Sequence, residues 1–112
     1  SQERISIMVQ YTAMAPIKMD TADGTGDNID GSSDSVTIPN DASGVKAKFV
    51  HVSVSEDAYV LANAAGDTIT TTNGIIVTPE SGGIILDVTG YAKIYYLQVS
   101  TGGRICVKPV GG

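Results

Sequence analysis

Apolar and polar residues alternate along most of this chain, and the alternation breaks about every 8 to 12 residues at Gly, Pro, Asn, Asp or Ser. Ile5, Ile7, Val9 and Tyr11 recur at period two and predict an opening strand. Ser35 to Ile38 predicts a short strand, ended by the turn residues Pro39-Asn40-Asp41. Val45 to Ser55 predicts a long strand that changes phase: Val50, Val52 and Val54 point one way, Val45, Ala47 and Phe49 the other. A bulge near Lys48 or cover on both faces would each explain that change. Glu56-Asp57 predicts a turn, with Ala58 to Ala62 as the returning strand and Asn63 to Asp67 closing it. Thr68–Thr72 and Ile75–Thr78 flank Asn73-Gly74, a strong two-residue hairpin signal. Pro79 to Gly83 turns into a strand over Ile84–Val88. Tyr91–Val99 and Arg104–Pro109 are then expected to pair as two long antiparallel strands through the loop Ser100-Thr101-Gly102-Gly103, with Ile84–Val88 leading in as a third.

Eight or nine short strands, with no helical periodicity longer than one turn, predict an all-β fold with almost no helix: an antiparallel β-sandwich of jelly-roll type with about eight strands. A chain of 112 residues is one domain, because two separate cores would each bury too little to offset chain entropy. Residues 1–19 are expected to form an N-terminal strand and irregular arm of that domain, and residues 20–112 its sandwich body, with an acidic loop at 20–34. The expected core is Ile7, Val9, Val36, Ile38, Val50, Val52, Val54, Val60, Ile76, Ile85, Leu86, Ile94, Leu97, Ile105 and Val107.

Charge narrows the partners. The net charge is -5, and the seven basic residues, Arg4, Lys18, Lys46, Lys48, Lys93, Arg104 and Lys108, are scattered. A phosphate backbone is bound by clustered Lys and Arg that displace counterions, so no nucleic acid is expected. No apolar run approaches the roughly 20 residues that span a bilayer, so no membrane is expected. Ile5 to Val9 is interrupted by Ser6 and is no secretory segment. Ser1 fits removal of an initiator methionine, and the expectation is a soluble chain made in the cytoplasm. Charged residues make up 17%, below the roughly 25% usual for soluble domains, so part of the surface is expected to be apolar or covered by a neighbour.

Candidate chemistry is sparse. The single cysteine, Cys106, excludes an internal disulfide and reads as a small buried hydrophobe in a strand. As a nucleophile it would need a base, and the only histidine, His51, falls in a different strand. His51 faces away from the valines as a packed or exposed group, or as a pH-sensitive interface contact. From Asp20 to Asp41 there are six acidic residues and no basic one, together with Gly, Ser, Thr and Asn, which is loop chemistry. Asp27, Asn28, Asp30 and Asp34 offer hard oxygen ligands for calcium. Aligning Gly31 with the glycine of an EF-hand loop, however, places Gly26 and Thr37 where ligands belong, so no metal is expected. Gly24-Thr25-Gly26 lacks the pattern of a phosphate loop, and Glu56-Asp57 on a tight turn is no glycosidase pair. No catalytic residue and no cofactor are assigned, and the expected protein is not an enzyme.

The candidate contacts are apolar and aromatic. Met14, Pro16 and Met19 lie in an irregular segment that suits either a flap over the core or an arm laid on a partner. Tyr91, Tyr95 and Tyr96 crowd one strand, where Tyr95 and Tyr96 must face opposite ways, as interaction groups or as caps on the core rim. The tail GGIILDVTGYAKIYYLQVSTGGRICVKPVGG resembles the closing segment of small structural proteins of tailed bacteriophages, nearest to the head decoration, or cement, proteins. In those proteins a strand ending Asp-Val-Thr-Gly leads to an aromatic-bearing strand, a glycine-containing hairpin and a Val-x-Pro ending. The resemblance covers about the last third of the chain and implies a jelly-roll protein bound as a small homo-oligomer, dimer or trimer, on the outer capsid surface. There it would bridge neighbouring copies of the major capsid protein and stabilise the shell. The alternative is a glycan-binding or adhesin module of a phage tail fibre, which a chain with no Trp, one Phe and five Tyr supports less well.

Overall fold

The computed structural model describes residues 18–63 and 68–111. Nine strands follow one another: β1 (Lys18–Met19), β2 (Thr25–Ile29), β3 (Asp34–Thr37), β4 (Phe49–Val54), β5 (Ala58–Asn63), β6 (Ile75–Val77), β7 (Ile84–Asp87), β8 (Lys93–Gln98) and β9 (Gly103–Gly111). One 3₁₀ turn at Pro79–Ser81 is the sole helical element among the described residues. Pairing is nested. β2 pairs with β9, β3 with β8, β4 with β7 and β5 with β6, all antiparallel. Further pairing of β4 with β9 and of β5 with β8 rolls this double ribbon into two sheets, β2-β9-β4-β7 and β3-β8-β5-β6. That order is a jelly roll of eight strands. β1 extends the β2 side of the first sheet by pairing with the far end of β9.

The core lies between the sheets, where cross-strand partners present the same face. Val50, Val52, Ile105 and Val107 of the first sheet meet Ala58, Val60, Ile94 and Tyr96 of the second, all with at most 1% exposure. Val36, Ile38 and Val54 are buried as expected, and Ile29, Ala47, Val77 and Val88 join them. Ile76 and Ile85 do not: they are 56% and 36% exposed, because each is one step out of register with an inward residue of its strand. Leu86 and Leu97 are half-buried. Ile7 and Val9 lie outside the described residues.

Several expected pairings are replaced. β8 and β9 do not form a hairpin: residues 99–102 arch from one sheet to the other, and the two strands face each other across the core. β7 lies beside β4 rather than β8, and β5 crosses to the second sheet instead of returning along β4. Asn73-Gly74 makes no two-residue hairpin. Asn73 folds a local turn, its Oδ1 accepting from the Thr70 amide at 2.7 Å and its Nδ2 donating to the Thr68 carbonyl at 3.1 Å, and β6 pairs with β5 instead. The acidic stretch 20–34 is not wholly loop, since β2 runs through it. Its glycines are there for close approach: a Cβ at Gly24 would stand 2.5 Å from the Val107 carbonyl oxygen, and one at Gly26 2.9 Å from that of Ile105. The phase change before Phe49 marks the start of β4: Lys46 bridges Asn40, and the Ala47 amide donates to the Pro39 carbonyl.

Gly83 closes the turn into β7 at φ +97°, and a Cβ there would meet His51 Nε2 at 2.5 Å and the Val52 carbonyl oxygen at 2.6 Å. Gly83→Ala is expected to cost about 2–3 kcal/mol, combining left-handed backbone strain with a clash against main chain, read as a lowered urea midpoint.

Candidate interaction surface

The tyrosines separate into three roles. Tyr96 points into the core and is fully buried, and its hydroxyl donates to Asp27 Oδ2 on β2 of the opposite sheet. The bond exists because Asp27 opposes Ile105 in register and so shares the inward face of the first sheet at its edge. Tyr95 points outward yet is only 9% exposed. Of the two rings expected as contacts, Tyr96 is sealed between the sheets and Tyr95 is nearly covered on the outward side. Tyr91, in the turn before β8, remains 40% exposed. Met14 and Pro16 lie outside the described residues, as does the side chain of Met19.

The Tyr96–Asp27 bond holds the Asp27 carboxyl below the usual carboxylate range, chiefly through the phenol and then through the Asn28 amide. Burial, followed by that same bond, pushes the Tyr96 phenol well above its ordinary value. The signs differ by pH. Asp27's contribution to stability is present above its unfolded value near 3.8 and is lost as pH falls through its lower folded value. Tyr96's is present below its unfolded value of 10.0 and is lost as pH rises beyond it. Tyr96→Phe is expected to flatten both limbs of a stability-versus-pH curve, measured by chemical denaturation across the range. A curve unchanged in shape would show that the bond carries neither limb.

The outer face of the first sheet carries Arg104, Cys106 and Lys108 on β9 beside His51 and Ser53 on β4. Cys106 is exposed, a correction to the buried reading: it alternates with the inward Ile105 and Val107. His51 Nε2 donates to the Gly82 carbonyl at 2.9 Å, and Lys108 Nζ to the Ala22 carbonyl at 2.7 Å. The Arg104 guanidinium bonds Asn28 Oδ1 at 3.1 Å. His51 and Lys108 thus tie strands to neighbouring turns, and Arg104 ties β9 to β2.

A cavity of about 380 Å³ opens at one end of the sandwich, lined by Asp20, Asp41, Ala47, Lys48, Phe49, Val110 and Gly111. Its carboxylates serve their own backbone. Asp20 Oδ1 accepts from the Ala22 and Ala42 amides, and Asp41 Oδ1 from the Ser43 and Val45 amides and the Ser43 hydroxyl. The candidate calcium ligands are similarly engaged: Asp27, Asp30 and Asp34 each accept from a backbone amide one or two residues on. Among the described residues no group of three or more His, Cys, Asp or Glu is placed to hold a metal ion.

What the surface does offer is apolar. Ile75 and Ile76 on β6 are 49% and 56% exposed, and Ile85 on β7 is exposed as well. β6 and β7 end their sheets on the same side of the sandwich, and among the described residues no strand pairs with the free edge of either. Ile75 opposes the buried Val60, so it stands on the core-facing side of β6 and borders the gap between the sheets. Across that gap the core-facing Ile84 of β7 is half-buried. A second apolar pair, Val45 and Tyr91, sits on the turns at the cavity end, where Lys46 Nζ donates to the Tyr91 carbonyl. The isoleucines escaped the sequence reading because period two buries one residue of each adjacent pair only where the strand is flanked. The signal that marks them is the brevity of the apolar run Ile75-Ile76-Val77 between turn residues, as expected of an edge strand.

No helix of the described residues is long and apolar enough to cross a membrane. Comparison of the chain with protein-family models, with curated proteins and with solved structures finds no match.

Proposed function

We propose that this chain is a non-enzymatic structural protein of a phage particle: a capsid decoration, or cement, protein that binds the outer surface of the shell and bridges neighbouring major capsid subunits. The observation that carries the reading is the placement of exposed isoleucines along two edges of a jelly roll that no described strand pairs, together with cavity carboxylates occupied by their own turns. A surface of that kind works through the area it covers. One interface of about 1,600 Å² is modest, but repetition over a symmetric shell multiplies it, and attachment at several points holds each copy. The resemblance of residues 82–112 to the closing segment of phage structural proteins supports the same reading.

The test is co-sedimentation of purified protein with phage heads that lack their outer proteins. Saturable binding, together with increased resistance of the heads to heat or chelator, is expected. Binding to glycans on an array with none to heads would replace the reading with the tail-fibre adhesin.

A further inference from the structure

Asn73 fastens the exposed loop 68–74 through its side chain. Its Oδ1 accepts from the Thr70 amide at 2.7 Å, its Nδ2 donates to the Thr68 carbonyl at 3.1 Å, and its own amide donates to Thr70 Oγ1 at 3.2 Å. What the loop covers is apolar. Ile69 is 2% exposed although it lies outside the core between the sheets. Beside it is Tyr59, which alternates with the inward Ala58 and Val60 and so stands on the outer face of the second sheet. Gly74 lies against both: a Cβ there would stand 2.9 Å from Ile69 Cδ1 and 3.2 Å from Tyr59 Cβ, so packing favours a residue without a side chain at position 74. That constraint has a chemical consequence. The side-chain amide of an asparagine is open to attack by the main-chain nitrogen of the next residue, and a glycine there hinders the attack least. The other three asparagines lack such a neighbour: Asn28 precedes Ile29 within β2, Asn40 precedes Asp41, and Asn63 ends β5 before an alanine. The bonds that fasten Asn73 are exposed, so water competes for them and the loop opens locally at little cost.

We propose that Asn73 is a self-modifying clamp, converted with Gly74 to a succinimide and then to aspartate or isoaspartate, which releases loop 68–74 from the outer face of the second sheet. With the loop open, hydroxide takes the proton of the Gly74 amide, and the nitrogen attacks Asn73 Cγ. The new N–Cγ bond closes the ring, the Cγ–Nδ2 bond breaks, and Nδ2 leaves as ammonia with a proton from water, which restores the hydroxide. Water then opens the ring at either carbonyl. One water is consumed and one ammonia is released. Both products lack the donor to the Thr68 carbonyl and bring a negative charge against it. Isoaspartate also adds a carbon to the main chain and so shifts the acceptor of the Thr70 amide. Once the loop is unfastened, Ile69 and Tyr59 extend the apolar surface begun by Ile76, which opposes Tyr59 in register and is already 56% exposed. The inference goes beyond the shell-binding reading and needs no partner, so either can fail while the other stands.

Folded protein held in warm, mildly alkaline buffer is expected to gain about one mass unit as NH₂ is replaced by OH, and to gain it more slowly at lower pH. Peptide mapping is expected to place the gain at Asn73 ahead of Asn28, Asn40 and Asn63. Hydroxylamine, which attacks the succinimide, is expected to cleave the folded chain between residues 73 and 74 and to leave Asn73→Ser whole. After separation by charge, the isoaspartate form is expected to lose hydrogen-exchange protection at the Thr70 amide, while the paired amides of β4 and β9 keep theirs. Absence of conversion at Asn73, conversion spread evenly over the asparagines, or a converted protein whose Thr70 amide stays as protected as before would each overturn the proposal.

Discussion

Val52→Asp is expected to abolish folding, while Ser53→Asp, one residue along the same strand, is expected to change stability by no more than about 0.5 kcal/mol. Val52 is fully buried at the centre of the first sheet, between Ile84 of β7 and Val107 of β9. An unpaired carboxylate there has no hydrogen-bond donor within the apolar core, and its desolvation costs several kcal/mol even when the group protonates to escape it. A domain of this size has about 5–15 kcal/mol of stability in total. Ser53 opposes the exposed Cys106 on the outer face, and a charge there stays in water. Circular dichroism and denaturant melts of the two variants decide the matter. A folded Val52→Asp, or an unfolded Ser53→Asp, would mean that the faces of β4 are assigned the wrong way round.

Tyr96→Ala is expected to destabilise the protein by about 3–5 kcal/mol, the range for deleting a fully buried aromatic side chain. The ring fills the space where β8 faces β9, packed among residues that are themselves sealed from water, so the cavity left behind has little room to collapse. The substitution also leaves Asp27 on the inward edge of β2 without its phenol partner. Tyr96→Phe separates the two effects, since it keeps the ring and loses only the hydroxyl. Urea midpoints should rank the unmodified protein above Tyr96→Phe, and that variant well above Tyr96→Ala. If both variants were equally destabilised, the hydroxyl rather than the packing would dominate.

The strands were largely legible because their signal is local. Alternation of Val50, Val52 and Val54, and of Ile105 and Val107, follows from the pleat alone and identified the inward faces correctly. Pairing was not legible, because a turn that joins neighbours in one sheet and an arch that crosses between sheets use the same Gly, Ser and Asp residues. Ser100 to Gly103 is the example: its composition fits a hairpin loop, yet it carries the chain across the sandwich. β2 was missed for the converse reason. Gly24 and Gly26 look like loop glycines but are small so that β2 can lie against β9. Exposure of Ile76 and Ile85 depends on which strands end their sheets, a long-range property absent from any short window. Burial of both Tyr95 and Tyr96 was likewise not readable from period two, and of the three tyrosines near β8 it is Tyr91 that stands exposed.

The most direct measurement is an image reconstruction of an assembled particle at a resolution that distinguishes subunits. The account predicts a jelly-roll density on the outside of the head, seated across the junctions of neighbouring capsid subunits and repeated with the symmetry of the shell. Density for this chain confined to the tail, or heads that carry none of it, would contradict the account.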